Sequence, residues 1–91
     1  MKHKLKIFPA FFDAVVSGEK NFEVRDNNDR GFKHGDIVRL CEFTKEGMYT
    51  GREIEKRITY VSNYGQLDGY VVFGMADVVP NVEGEPGRDK L

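Results

Sequence analysis

The sequence predicts a mainly β fold of the α+β class: a small β-barrel or strongly curled sheet with one or two short helices. Three observations predict it. Five or six short runs of alternating or wholly apolar residues are separated by turns rich in glycine, asparagine and aspartate. Only the stretch after Pro9 switches to helical spacing. The chain has 91 residues, enough for one core and too few for two. Closing the sheet would also hide the strand edges that a small β domain must protect.

The first strand is read from His3 to Phe8. His3, Leu5 and Ile7 share one face, and Lys4 and Lys6 take the other. Pro9 suits the first turn of a helix. Phe11, Phe12, Val15 and Val16 then cover one helical face, and Gly18 is a stop. A helix from about residue 9 to 17 is too short to persist alone and must be held by packing. Asn21 to Arg25 is the second strand. Phe22 and Val24 are expected to face the core, leaving Glu23 and Arg25 to water, each other or a ligand.

Asp26 to Gly31 is a loop, and His34-Gly35-Asp36 is a tight turn. Ile37 to Phe43 is the third strand, with Val38 and Leu40 on one face. Thr44 to Gly51 reads as a hairpin connection. Arg52 to Val61 is the longest strand, with Ile54, Lys56, Ile58 and Tyr60 on one face and Glu53, Glu55 and Arg57 opposite. After a second loop, Tyr70 to Met75 is continuously apolar, as expected of a strand buried on both faces. From Asp77 the pattern fades. Residues 1–76 are therefore expected to form the domain. Residues 77–91 are expected to form an extended or partly disordered tail, with Val78, Val79 and Val82 available to anchor its start.

Composition narrows the function. Apolar residues make up 40% and charged residues 32%, which is globular rather than disordered usage. A formal net charge of −1 gives no global field to attract nucleic acid, so a nucleic-acid role must rest on a local patch. The single cysteine, Cys41, cannot form an internal disulfide. With only His3 and His34 beside it, neither a metal centre nor a cofactor is expected. The start of the chain is too polar for a signal peptide and no apolar run would span a membrane, so a cytoplasmic protein is expected.

Chemistry concentrates in Gly18-Glu19-Lys20-Asn21-Phe22-Glu23-Val24-Arg25. Lys20 enters the strand and can reach the face shared by Glu23 and Arg25. A desolvated Lys20 could serve as a base, or it could be a solvated lysine after a helix stop. Glu23 and Arg25 could be a surface ion pair, or line a cleft in which Arg25 grips a phosphate or carboxylate with its planar fork. Glu23 beside Lys20 favours the charged lysine, and so favours binding over base catalysis. His3 is expected to be a packed, hydrogen-bonded core residue. Tyr64 or Tyr70 could stack an unpaired base, and Arg30 and Arg52 could add phosphate contacts or remain solvated.

The pattern G-x-K-x-x-E-x-R is matched by Gly18, Lys20, Glu23 and Arg25, after a short helix and before the Gly35-Asp36 turn. In this it resembles the ASCH domain family of the PUA-like superfamily, and within it a small uncharacterised bacterial and phage family. His3-x-Leu5-Lys6-Ile7, Val15-Val16-Ser17-Gly18, Asn28-Asp29-Arg30, Tyr49-Thr50-Gly51-Arg52 and Gly69-Tyr70-Val71-Val72 carry the resemblance across roughly residues 3 to 75. It implies a PUA-like β-barrel with a cleft beside the motif strand for RNA or a nucleotide-like ligand. Some small ASCH proteins are amidohydrolases acting on acetylated cytidine. There the motif lysine is the base, a threonine stands at the position of Glu23, and a second glutamate lies on a late strand. Here Lys20 matches, Glu23 brings no hydroxyl, and Asp68 is the carboxylate near the late strand.

Three functions follow. One is an RNA- or nucleotide-binding module, with Lys20 and Arg25 as cations, Glu23 as acceptor, Tyr70 as stacking surface, and Arg30 and Arg52 on phosphates. Another is a small amidohydrolase on N-acylated cytidine-type nucleosides, with Lys20 and Glu23 catalytic. The last is an accessory interaction protein in which the motif is structural.

Overall fold

The computed structural model describes residues 1–79. The elements are β1 (Lys2–Ile7), α1 (Pro9–Ser17), β2 (Phe22–Asp26), β3 (Ile37–Phe43), β4 (Tyr49–Ser62) and β5 (Tyr70–Asp77). They form one curled five-stranded sheet, a half-barrel, in the order β1-β3-β4-β5-β2. β1 runs parallel to β3, and the other pairings are antiparallel. The mainly β fold with one short helix is thus the one the sequence predicts. β5 ends at Asp77, and residues 80–91, most of the predicted tail including Val82, lie outside the described residues.

The helix forms where proline and glycine bracket it. Pro9 occupies the first turn, and Gly18, at φ 88°, turns the chain out while its N–H bonds the Val15 carbonyl. Nine residues offer the sheet only a narrow stripe. Phe12 and Val15 are buried, whereas Phe11 and Val16 are about half exposed, so the predicted four-residue face is really two residues wide. Phe12 and Val15 join Leu5, Ile7, Val38, Leu40, Ile58, Val71, Phe73 and Met75 from the sheet and Phe32 from the β2–β3 loop in one core.

Three faces differ from expectation. In β2 it is Glu23 that is buried, at 4% exposure, while Phe22 and Val24 are exposed. Cross-strand partners share a face. Glu23 pairs with Phe73 and Arg25 with Val71, and both partners belong to the core, so the register turns the charged face inward. In β4 a register shift between Ile58 and Tyr60 breaks the alternation and leaves Tyr60 exposed. β5 alternates buried and part-exposed residues instead of burying both faces, because among the described residues no second layer covers the outside of the sheet. Lys56 does lie on the inner side of β4, with its ammonium 2.5 Å from Asp77.

His3 packs as expected, its ring 4.6 Å from that of Phe32 and its Nε2 2.9 Å from Asp36 Oδ2. Asp36 also accepts from the Lys33 N–H at 3.1 Å and the Met1 amino group at 3.2 Å. Burial pushes the Asp36 carboxyl upward, but the bonds from His3, Met1 and Lys33 outweigh it and hold it below the usual carboxylate range. A depressed carboxyl stabilises the fold above its unfolded pKa, about 3.9, and loses that contribution as pH falls through the lower folded value. Asp36→Asn is therefore expected to be less stable than the parent at pH 7, with the gap closing below about pH 4. Urea unfolding at pH 7, 5 and 3 measures this, and a gap constant with pH would show that only the shape of Asp36 matters.

Candidate functional site

β1 and β2 are the two edges of the sheet, and among the described residues no strand joins them. Curling brings them face to face. Arginine side chains span the gap: Arg25 Nη2 donates to the Lys6 carbonyl at 2.9 Å, and Arg30 Nη1 to the Lys4 carbonyl at 3.2 Å. Each takes a main-chain acceptor of the kind that a neighbouring strand would otherwise use. Where this seam meets α1 there is a cleft of about 400 Å³, whose aromatic lining is Phe8, Phe11 and Phe22.

Glu23 sits at its back. Lys20 Nζ donates to Glu23 Oε2 and, at 2.8 Å, to the Phe22 carbonyl. Arg25 Nε donates to Glu23 Oε1 at 2.9 Å. The Glu23 side chain is 5% exposed, against 20% for Lys20 and 24% for Arg25, so the anion is enclosed and the cations face the opening. The strand pleat places Glu23 and Arg25 on one face, and the turn after Gly18 swings Lys20 over them. Lys20 Nζ also lies 4.8 Å from the Phe22 ring centroid and 5.7 Å from that of Phe11.

The trio still has unused hydrogen-bonding capacity. An ammonium has three donors and a guanidinium five, and only two of each are engaged. A carboxylate has about four acceptor positions; Oε1 is approached by both Nε and Nη2 of Arg25 at 2.9 Å, so the capacity Glu23 keeps in reserve is chiefly on Oε2. The site can therefore present both an acceptor and two cationic donors to a planar polar ligand between aromatic walls. Among the described residues no group of three or more His, Cys, Asp and Glu side chains could hold a metal ion.

The structure unites Lys20, Glu23 and Arg25 but places the other candidates elsewhere. Arg30 lies along the seam. Arg52 stacks on the Phe12 ring at 4.6 Å and reaches Asp13 at 3.3 Å and Glu42 at 3.5 Å, with Thr50 donating to Glu42 at 2.6 Å. That group ties α1 to the β3–β4 hairpin. Tyr70 pairs with Asp26, at the end of β2 away from Lys20. Tyr64 and Asp68 are exposed on the loop before β5. None of these lines the cleft.

The aromatic walls were not anticipated. One signal for them was in the sequence: Phe11 and Phe12 are adjacent, and a nine-residue helix on one sheet cannot bury both. A phenylalanine just before Pro9 is likewise kept off the helix face that packs inward.

A family model described as a domain of unknown function, DUF3850, matches residues 2–75. The chain is 38% identical over 71 residues to an uncharacterised 12.9 kDa protein from the GpA 3′ region of Escherichia phage P2, covering 77% of this chain and 63% of that protein. It is 34% identical over 50 residues to N(4)-acetylcytidine amidohydrolase of Citrobacter koseri, covering 55% of this chain and 48% of the enzyme. To the amidohydrolase of the same name from Escherichia coli K12 it is 30% identical over 50 residues, with the same coverage. The chain thus spans less than two thirds of the phage protein and about half of each enzyme.

Proposed function

The chain belongs to the DUF3850 family, and from that membership and the shape of its cleft we propose a nucleoside- or nucleotide-recognition module of the ASCH, PUA-like type. The observation that carries this is the enclosed Glu23 carboxylate, held between Lys20 and Arg25 behind aromatic walls. A base would enter between Phe8, Phe11 and Phe22. Its amino or ring N–H group would donate to the spare positions on Glu23. Lys20 and Arg25 would donate to a base carbonyl or a phosphate. Base–aromatic stacking contributes about 1–3 kcal/mol per base and is tolerant of base identity, so the polar trio would set the preference.

Calorimetric titration of the full chain with cytidine, N4-acetylcytidine, cytidine monophosphate and a short RNA tests this. At least one is expected to bind. Lys20→Ala and Arg25→Ala are each expected to lower its affinity about tenfold or more, the usual loss for a hydrogen bond to a charged group. If all four stay unbound at millimolar concentration, the proposal fails.

The relationship to N(4)-acetylcytidine amidohydrolases favours a second reading, amide hydrolysis of an N-acylated cytidine. Water would add to the acyl carbon, the bond from that carbon to N4 would break, and cytidine and acetate would leave. Lys20 would take the proton from water and hand it to N4 as that bond breaks, with Glu23 orienting the water. Two features favour the first reading. Lys20 is engaged as a donor to two acceptors, and Glu23 offers no hydroxyl nucleophile. Chromatographic detection of cytidine released from N4-acetylcytidine, lost in a folded Lys20→Ala variant, would replace recognition by catalysis. If both assays are blank, the motif serves only to join the two sheet edges.

A further inference from the structure

We propose that the cleft continues past Phe8 into a second subsite, so that the ligand is a nucleotide within a phosphodiester-linked strand, with its linking phosphate on Lys6. The inference rests on the nucleoside reading of the first cleft. A second hollow of about 280 Å³ is bounded by Phe8, Phe43, Thr44 and Lys45. It shares Lys6, Ile7 and Phe8 with the first, so the two meet along one ridge. Phe8 forms that ridge and is 48% exposed. It is also rigidly held. It stands in extended conformation before Pro9, at φ −70° and ψ 154°, and its carbonyl accepts the Phe12 N–H at 2.9 Å.

Charge at the ridge indicates a phosphate. Lys6 Nζ lies 4.6 Å from the Phe43 ring centroid and 6.0 Å from that of Tyr49. Among the described residues no carboxylate lies within ion-pair distance of Lys6 or Lys45. The chain as a whole is slightly acidic, so cations without anions on one border are a local feature. Aromatic surfaces alternating with such cations suit successive bases and the phosphate between them. A free nucleoside would fill the first hollow and leave Lys45 and the second hollow unused.

The test compares cytidine with cytidylyl-(3′→5′)-cytidine by calorimetry on the full chain. The dinucleotide is expected to bind at least about tenfold tighter at 50 mM salt, as a charge-assisted contact would give. Raising salt to 200 mM should cost it roughly threefold more than cytidine, the single-strand value for one phosphate. Lys45→Ala, on an exposed turn outside the first cleft, is expected to cut the dinucleotide's advantage about threefold and leave cytidine binding unchanged. Lys6→Ala should remove most of the advantage. Equal affinities for the two probes, or an advantage that survives both substitutions, would overturn the second subsite and leave the nucleoside reading standing. Failure of both probes to bind would overturn the nucleoside reading and this inference with it.

Discussion

Phe12→Ala is expected to bring the domain close to unfolding at 37 °C, whereas Phe11→Ala, one residue earlier, leaves it folded and weakens ligand binding. Phe12 is 2% exposed, belongs to the hydrophobic core and lies under the Arg52 guanidinium. Truncating such a ring costs about 3–5 kcal/mol, from lost transfer energy and the cavity left behind. A domain of this size is held by only about 5–14 kcal/mol. Each kcal/mol moves Tm by roughly 4–8 °C, so a fall of about 12 °C or more is expected. Phe11 is 52% exposed and walls the cleft, so its removal should shift stability by well under about 1 kcal/mol while removing a stacking surface. Thermal unfolding followed by circular dichroism, with a nucleoside titration on the folded variant, separates the two. A Phe12→Ala Tm within a few degrees of the parent would mean that α1 does not complete the core. Phe11→Ala binding like the parent would remove that wall from the site.

Glu23→Ala should affect both stability and binding. The substitution removes the anion that Lys20 and Arg25 share. Breaking a fully buried ion pair costs about 3–5 kcal/mol, because the partner charge is stranded. Here the cations are about a fifth to a quarter exposed, so water offsets part of that, and a loss of about 2 kcal/mol is expected. Arg25 would keep its bond to Lys6 but lose its anchor on β2, loosening the seam. Ligand binding should disappear with the acceptor. Glu23→Gln, which preserves shape, should fold better than Glu23→Ala and bind as poorly. Urea unfolding and titration of both variants test this. If Glu23→Gln binds like the parent, an amide suffices and the carboxylate is not the recognition element. If Glu23→Ala is as stable as the parent, the trio does not hold the edges together.

Some features follow from residues close in the chain. Pro9 and Gly18 bound the helix, and both lie where the local backbone demands them. The two-residue pleat alone puts Glu23 and Arg25 on one face, and the turn after Gly18 lets Lys20 join them. His3 beside Leu5 and Ile7 marks itself as a core residue. For these the cause lies within a few bonds, so a linear reading suffices.

What the tertiary structure decided is which of two locally equal choices is realised. Alternation in β2 defines two faces without saying which is inner; the pairing of Glu23 with Phe73 settles it, through a partner 50 residues away. The register shift beside Tyr60 and the choice of Phe12 over Phe11 depend in the same way on surfaces contributed by distant strands. So does the separation of Arg30, Arg52 and Tyr70 from the cleft, since each is held by a partner remote in sequence. The chain by itself determined the elements, their limits and the composition of the charged trio. Only long-range pairing, with the curl that sets β1 against β2, decided that the trio lies enclosed at a seam instead of spread over the surface. The physical reason is that side-chain periodicity is local, whereas burial is a property of two surfaces meeting.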